Sequence, residues 1–72
     1  MRGGQLEVNG RVTEALPNAL FRVSLEGEGR AEVVAHVAGE AFSLSRVRPG
    51  DEVVVALMAY DATRGRIVRR RG

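Results

Sequence analysis

Leu6, Val8 and Val12 are apolar while Glu7, Asn9, Arg11 and Thr13 between them are polar. That period of two predicts a half-buried strand. Gly10 interrupts the run, and a glycine inside such a pattern predicts a bulge or sharp bend of the kind that curls a small sheet toward a barrel. Leu16-Pro17-Asn18 reads as a turn, because proline presets φ and asparagine tolerates left-handed backbone. A second strand follows, with Phe21, Val23 and Leu25 alternating with Arg22, Ser24 and Glu26. Glu26-Gly27-Glu28-Gly29-Arg30 then supplies a hairpin connection. In the third strand, residues 31–37, the apolar Val33, Val34 and Ala35 occupy both faces, which predicts a central position.

Alternation stops after residue 37, and Glu40-Ala41-Phe42-Ser43-Leu44-Ser45 fits one helical turn or an irregular loop equally. Pro49-Gly50-Asp51 is a turn signal, and residues 52–58, with Val53, Val54, Val55, Leu57 and Met58, predict the fourth strand. Tyr60-Asp61-Ala62-Thr63-Arg64-Gly65 reads as a further turn, leaving Arg66-Ile67-Val68-Arg69 as a short, basic fifth strand. Five strands with a longer third-to-fourth connection predict an all-β, five-stranded Greek-key barrel of OB type, with a short helix or loop between strands 3 and 4. An SH3-like barrel is the main rival. Strand parity assigns Val8, Val12, Phe21, Val23, Val33, Val55, Leu57 and Ile67 to the core.

At 72 residues the chain fits one domain, residues 1–72. Residues 1–5 are expected to fray and residues 70–72 to form a mobile basic tail. The 44% hydrophobic and 28% charged content is that of a soluble globular protein. No apolar run reaches the ~20 residues of a membrane helix, and the first residues lack a secretory signal's apolar stretch, so a cytoplasmic protein is expected. The absence of cysteine excludes disulfides, Cys-based metal sites and thiol catalysis.

Charge changes the picture more. Every basic residue is arginine, and the formal net charge is only +2. Up to residue 63 there are six arginines against nine acids, whereas residues 64–72 carry five arginines and no acid. Arg64, Arg66, Arg69, Arg70 and Arg71 thus form a basic end, with planar forks suited to phosphate. As an alternative, such a run is merely a solvated, solubilising terminus.

The inventory points away from catalysis. No nucleophile and base can be paired, and no cluster of His and carboxylates has metal-ligand spacing. No cofactor is expected. Asp51 and Asp61 fall in turns, where Asp serves as a local hydrogen-bond acceptor. The one histidine, His36, is either a satisfied interior residue or exposed on the ligand-facing side. Phe21, Phe42 and Tyr60 are the only aromatics, too few for the stacking surface of a single-strand binder.

Several segments resemble bacterial translation initiation factor 1. They are Gly10-Arg11-Val12-Thr13-Glu14-Ala15-Leu16-Pro17-Asn18-Ala19-Leu20-Phe21-Arg22-Val23, Ala35-His36-Val37-Ala38-Gly39, Pro49-Gly50-Asp51, and Tyr60-Asp61-Ala62-Thr63-Arg64-Gly65-Arg66-Ile67-Val68. The resemblance covers most of the chain and implies an OB fold. It also implies binding to 16S rRNA and a ribosomal protein at the A site of the 30S subunit, alongside initiation factors 2 and 3, by a monomer without enzymatic activity. The family's rRNA-contacting positions correspond to His36, Arg46, Arg64, Arg66 and Arg70, and the basic end adds Arg69 and Arg71 to the expected RNA-binding set. Arg69 stands where the family usually has an aromatic residue.

One segment departs. The family carries a Lys/Arg-rich loop after the glycine equivalent to Gly39, whereas this chain has Glu40 to Ser45 and keeps only Arg46 of the basic set. That change predicts weaker ribosome binding than is typical of the family. It also leaves two other readings open: a general RNA-binding OB module without A-site specificity, and a structural or protein-interaction barrel.

Overall fold

The computed structural model describes residues 6–27, 29, 31–37, 47–58 and 60–71. They form five strands: β1 (Leu6–Leu16), β2 (Leu20–Leu25), β3 (Glu32–Val37), β4 (Glu52–Leu57) and β5 (Arg64–Arg70). The strands close into a barrel in the order β1-β2-β3-β5-β4. All neighbours are antiparallel except β3 and β5, which run parallel. The fold is the expected OB barrel, and closure leaves no free sheet edge.

Closure depends on β1, whose 11 residues serve two neighbours. Its first part, Leu6 to Arg11, pairs with β4, and Gly10 to Leu16 pairs with β2. The two pairings overlap at Gly10, opposite both Leu25 and Val53. A Cβ there would stand 2.7 Å from Val23 Cγ1 and 3.0 Å from the Ser24 carbonyl oxygen, so only glycine lets the strand fold over β2 so closely. The bulge itself lies elsewhere than at Gly10. The register shifts between Val12 and Glu14, at Thr13, while Gly10 keeps regular pairing on both sides and supplies the bend. A second shift sets Val54 opposite Arg69 and Val55 opposite Ile67, with Val68 as the extra residue.

Two strands are longer than alternation predicts. β1 continues through Leu16 because the bulge at Thr13 resets its parity, and Arg64 and Gly65 belong to β5 rather than to the preceding turn.

Six of the eight expected core residues are buried: Val12, Phe21, Val23, Val33, Val55 and Ile67. Val8 and Leu57 are partly buried and pack against this cluster. Leu25, Ala35, Val47 and Val53 complete it. Val54 and Ala56, on the opposite parity of β4, are buried too, making this strand apolar on both faces.

The Pro49 turn is fastened to β1. The Asp51 N–H donates to the Arg48 carbonyl at 3.1 Å, and the Asp51 carboxylate accepts from the Arg48 N–H at 3.0 Å. Gly50 N–H then donates to Val12 O at 2.7 Å, and Val12 N–H donates to Asp51 O at 2.9 Å.

Between β1 and β2, Asn18 and Ala19 both have left-handed backbone, at φ 65° and 59°. Asparagine tolerates that region, whereas alanine pays about 1 kcal/mol for its Cβ. Ala19→Gly should therefore stabilise the domain by up to about 0.5 kcal/mol after glycine's greater unfolded-state entropy is subtracted. A urea midpoint that rises at unchanged m-value is the expected readout; a fall would show that the Cβ makes favourable contacts.

Candidate nucleic-acid interface

Parallel pairing of β3 and β5 sets His36 opposite Arg66 and Val34 opposite Arg64. On the other side of β3, Leu20 faces His36 and Arg22 faces Val34. Because Gly65 and Ile67 turn into the barrel, Arg64 and Arg66 turn out. His36 alternates in the same way with buried Ala35 and is exposed, so it is not an interior histidine. His36 of β3 and, far from it in the chain, Arg64 and Arg66 of β5 thus share the outer face.

Gly65 seats the two arginines. A Cβ at this position would lie 2.7 Å from both the Ala56 carbonyl oxygen and Val55 Cγ1. Any side chain would force β5 off β4 and move Arg64 and Arg66 with it.

The turn before them is held by Asp61. Its Oδ1 accepts from the Thr63 N–H at 3.0 Å and from the Thr63 hydroxyl, while its main-chain carbonyl accepts from the Arg64 N–H at 3.1 Å. The Thr63 hydroxyl, then the Thr63 N–H, lower the carboxyl below its usual range; burial opposes the shift and the Arg64 charge adds to it. A carboxyl depressed in the folded state contributes stability above its unfolded pKa and loses it as pH falls through the folded pKa. The stability gap between the wild type and Asp61→Asn should accordingly be constant near neutrality and close in acid, below the normal carboxylate pKa of about 4. Denaturation followed at stepped pH reads this directly, and a gap independent of pH would remove Asp61 from the account.

The five C-terminal arginines divide into two groups. Arg64 Nε stands 3.9 Å from Asp61 Oδ2 with its side chain 68% exposed, and Arg66 is half-buried beside His36. Arg69 pairs with Glu7 at 3.5 Å, Arg70 with Asp51 at 3.9 Å, and Arg71 with Glu26 at 3.1 Å and Glu52 at 3.7 Å. Arg11 joins this second group through Glu52 at 2.8 Å. Among the described residues, then, Arg11, Arg69, Arg70 and Arg71 are matched by Glu7, Glu26, Asp51 and Glu52. β5 includes Arg70, and the Arg71 N–H donates to Glu52 O at 2.8 Å, carrying the ladder one residue further.

An open cleft of about 550 Å³, lined in part by Arg11, Ser24, Glu26 and Glu52, lies in the charge-balanced region. Its ionisable lining is one guanidinium, Arg11, against two carboxylates, Glu26 and Glu52, and all three are held in ion pairs, the carboxylates with Arg71. Among the described residues no group of His, Asp and Glu could hold a metal ion, and no helix is long and apolar enough to cross a membrane. Arg46 and the connection from Ala38 to Ser45 lie outside the described residues.

Aromatic residues also separate. Phe21 is 9% exposed and lies in the core, whereas Tyr60 is 98% exposed on the turn before Arg64. Sequence inspection counts three aromatics and passes over Tyr60; the available signal is its place between two strands, outside any apolar alternation.

No family model matches the chain. Among solved structures it is similar to the solution structure of translation initiation factor 1 from the Wolbachia endosymbiont strain TRS of Brugia malayi. The two are 41% identical, the match covers 94% of this chain and 79% of that one, and the TM-score is 0.73.

Proposed function

Because the chain belongs to the translation initiation factor 1 family, whose members serve translation initiation, we propose that it binds 16S rRNA at the A site of the 30S subunit and assists initiation factors 2 and 3. It acts by occupancy rather than by catalysis. The observation that carries this reading is the β3–β5 register, which gathers His36, Arg64 and Arg66 on one outer face, with the Arg64 side chain largely in solvent. Arginine suits such a face because its planar fork engages phosphate through two hydrogen bonds. Arg46 belongs to the proposed contact set through its position in the family pattern. Arg69, Arg70 and Arg71 belong to it as a second tier, since they are paired with carboxylates from distant strands and turns, Arg71 with two of them, whereas Arg64 faces the Asp61 carboxylate of its own turn at 3.9 Å.

The segment from Glu40 to Ser45 favours a second reading, a general RNA-binding module without A-site specificity, because its sequence has an acid where the family pattern has cations. Affinity for isolated 30S subunits, compared with affinity for an unstructured RNA at matched salt, separates the two. Preference for the subunit supports the initiation-factor reading. Equal affinity supports the general module, and binding to neither removes both.

A further inference from the structure

Leu6, Met58 and Tyr60 are the exposed large hydrophobic residues among those described, at 62%, 43% and 98%. Leu6 pairs with Leu57, next to Met58, so the first two share one barrel end with the turn that carries Tyr60. Tyr60 differs from the others in being almost wholly in water. An isolated exposed apolar side chain needs no explanation; a fully exposed ring on a fastened turn that leads into the basic strand β5 is a different matter.

The turn is fastened at several points. Met58 N–H donates to Arg64 O at 3.0 Å and Arg64 N–H to Asp61 O at 3.1 Å, while Val34 N–H donates to Thr63 O at 3.0 Å. The Asp61 carboxylate closes the inner loop onto Thr63. Backbone order around the ring is thus in place before any ligand arrives, which lowers the entropic cost of binding. Four residues on, Arg64 projects from the start of β5 into solvent.

An exposed aromatic ring and an exposed guanidinium carried by one fastened turn match one chemical unit, an unpaired nucleotide: the ring stacks on the base and the guanidinium, exchanging its pair with Asp61, holds the phosphate. We propose that Tyr60 is a stacking platform for an unpaired nucleobase, with Arg64 engaging an adjacent phosphate. This rests on the RNA-binding reading above and adds a base-contacting residue on the turn that leads into the face carrying Arg64 and Arg66. The basic side chains of that face, with Arg64 reaching into solvent, favour RNA over an apolar protein surface as the occupant.

Binding of the full chain to isolated 30S subunits across a salt series tests the proposal with Tyr60→Phe, Tyr60→Leu and Tyr60→Ala. Phenylalanine keeps the π face, leucine keeps apolar bulk without it, and alanine keeps neither. Loss of one base stack weakens binding by about tenfold, so Ala and Leu should bind about tenfold more weakly at every salt concentration and Phe within about twofold of the wild type. The slope of log K against log salt should be unchanged in all three, because no phosphate contact is removed. Melting temperatures should also match, since the ring is in solvent. Wild-type affinity in Tyr60→Ala would overturn the proposal, as would wild-type affinity in Tyr60→Leu, which would indicate apolar contact with a ribosomal protein instead. Failure of the wild type itself to bind would overturn the functional reading and this inference with it, a result distinguishable from a defect confined to the variants.

Discussion

Truncating Phe21 to alanine should bring the folded and unfolded populations to about equal at 25 °C. The ring is 9% exposed, projects from β2 between partners Ala15 and Ala35, and belongs to the cluster formed with Val12, Val23, Val33 and Ile67. Its pairing partners are alanines, too small to close over the space it fills. Phe→Ala in a core costs about 3–5 kcal/mol. A domain of this size without disulfides or metal has about 3–5 kcal/mol in total, so the loss matches the whole margin. Phe21→Leu retains much of the volume and should cost about 1 kcal/mol. Far-UV circular dichroism against temperature reads both. Equal melting of wild type and Phe21→Ala would contradict the burial of this ring.

The second large effect concerns RNA. Replacing both Arg64 and Arg66 with alanine should reduce the slope of log K against log salt by about 1.4–1.8, at ~0.7–0.9 per phosphate contact. Between 50 and 200 mM salt the affinity of the wild type should therefore fall about tenfold more than that of the double variant. For Arg64 stability should change little, because its side chain is largely in water and its pair with Asp61 is a surface pair. The triple replacement of Arg69, Arg70 and Arg71 should change the slope less, although it removes more charge. Phosphate must compete there with four carboxylates, Glu7, Asp51, Glu26 and Glu52, while at Arg64 it meets Asp61 at 3.9 Å, so more of the triple set's gain is offset by broken ion pairs. Equal slopes for the wild type and the double variant would show that Arg64 and Arg66 do not touch phosphate. A larger change in the triple variant would move the interface to the other group.

Much of this is legible in one dimension. Alternation along Val8 to Val12 and Phe21 to Leu25 selects the inward residues, because a strand's side chains switch faces at every step whatever its neighbours are, and the unbroken apolar run from Val53 to Leu57 marks β4 as covered on both faces. Turn chemistry is local for the same reason: Asp51 and Asp61 accept hydrogen bonds within three residues of themselves, and Asn18 takes the left-handed backbone its side chain tolerates. The segments from Gly10 to Val23 and from Tyr60 to Val68 suffice to identify the family. What a linear reading cannot assign is which strands become neighbours. The bulge at Thr13 rather than at Gly10 follows from β1 serving both β2 and β4. Likewise, the five arginines from Arg64 to Arg71 read as one basic end, yet β5 carries Arg64 and Arg66 beside His36 and leads Arg69, Arg70 and Arg71 among the carboxylates of β1, β4 and the turns that follow β2 and Pro49. Side-chain period is a property of each strand alone, whereas the charge felt at any arginine is a sum over residues up to 62 positions away. That sum exists only once the barrel has closed.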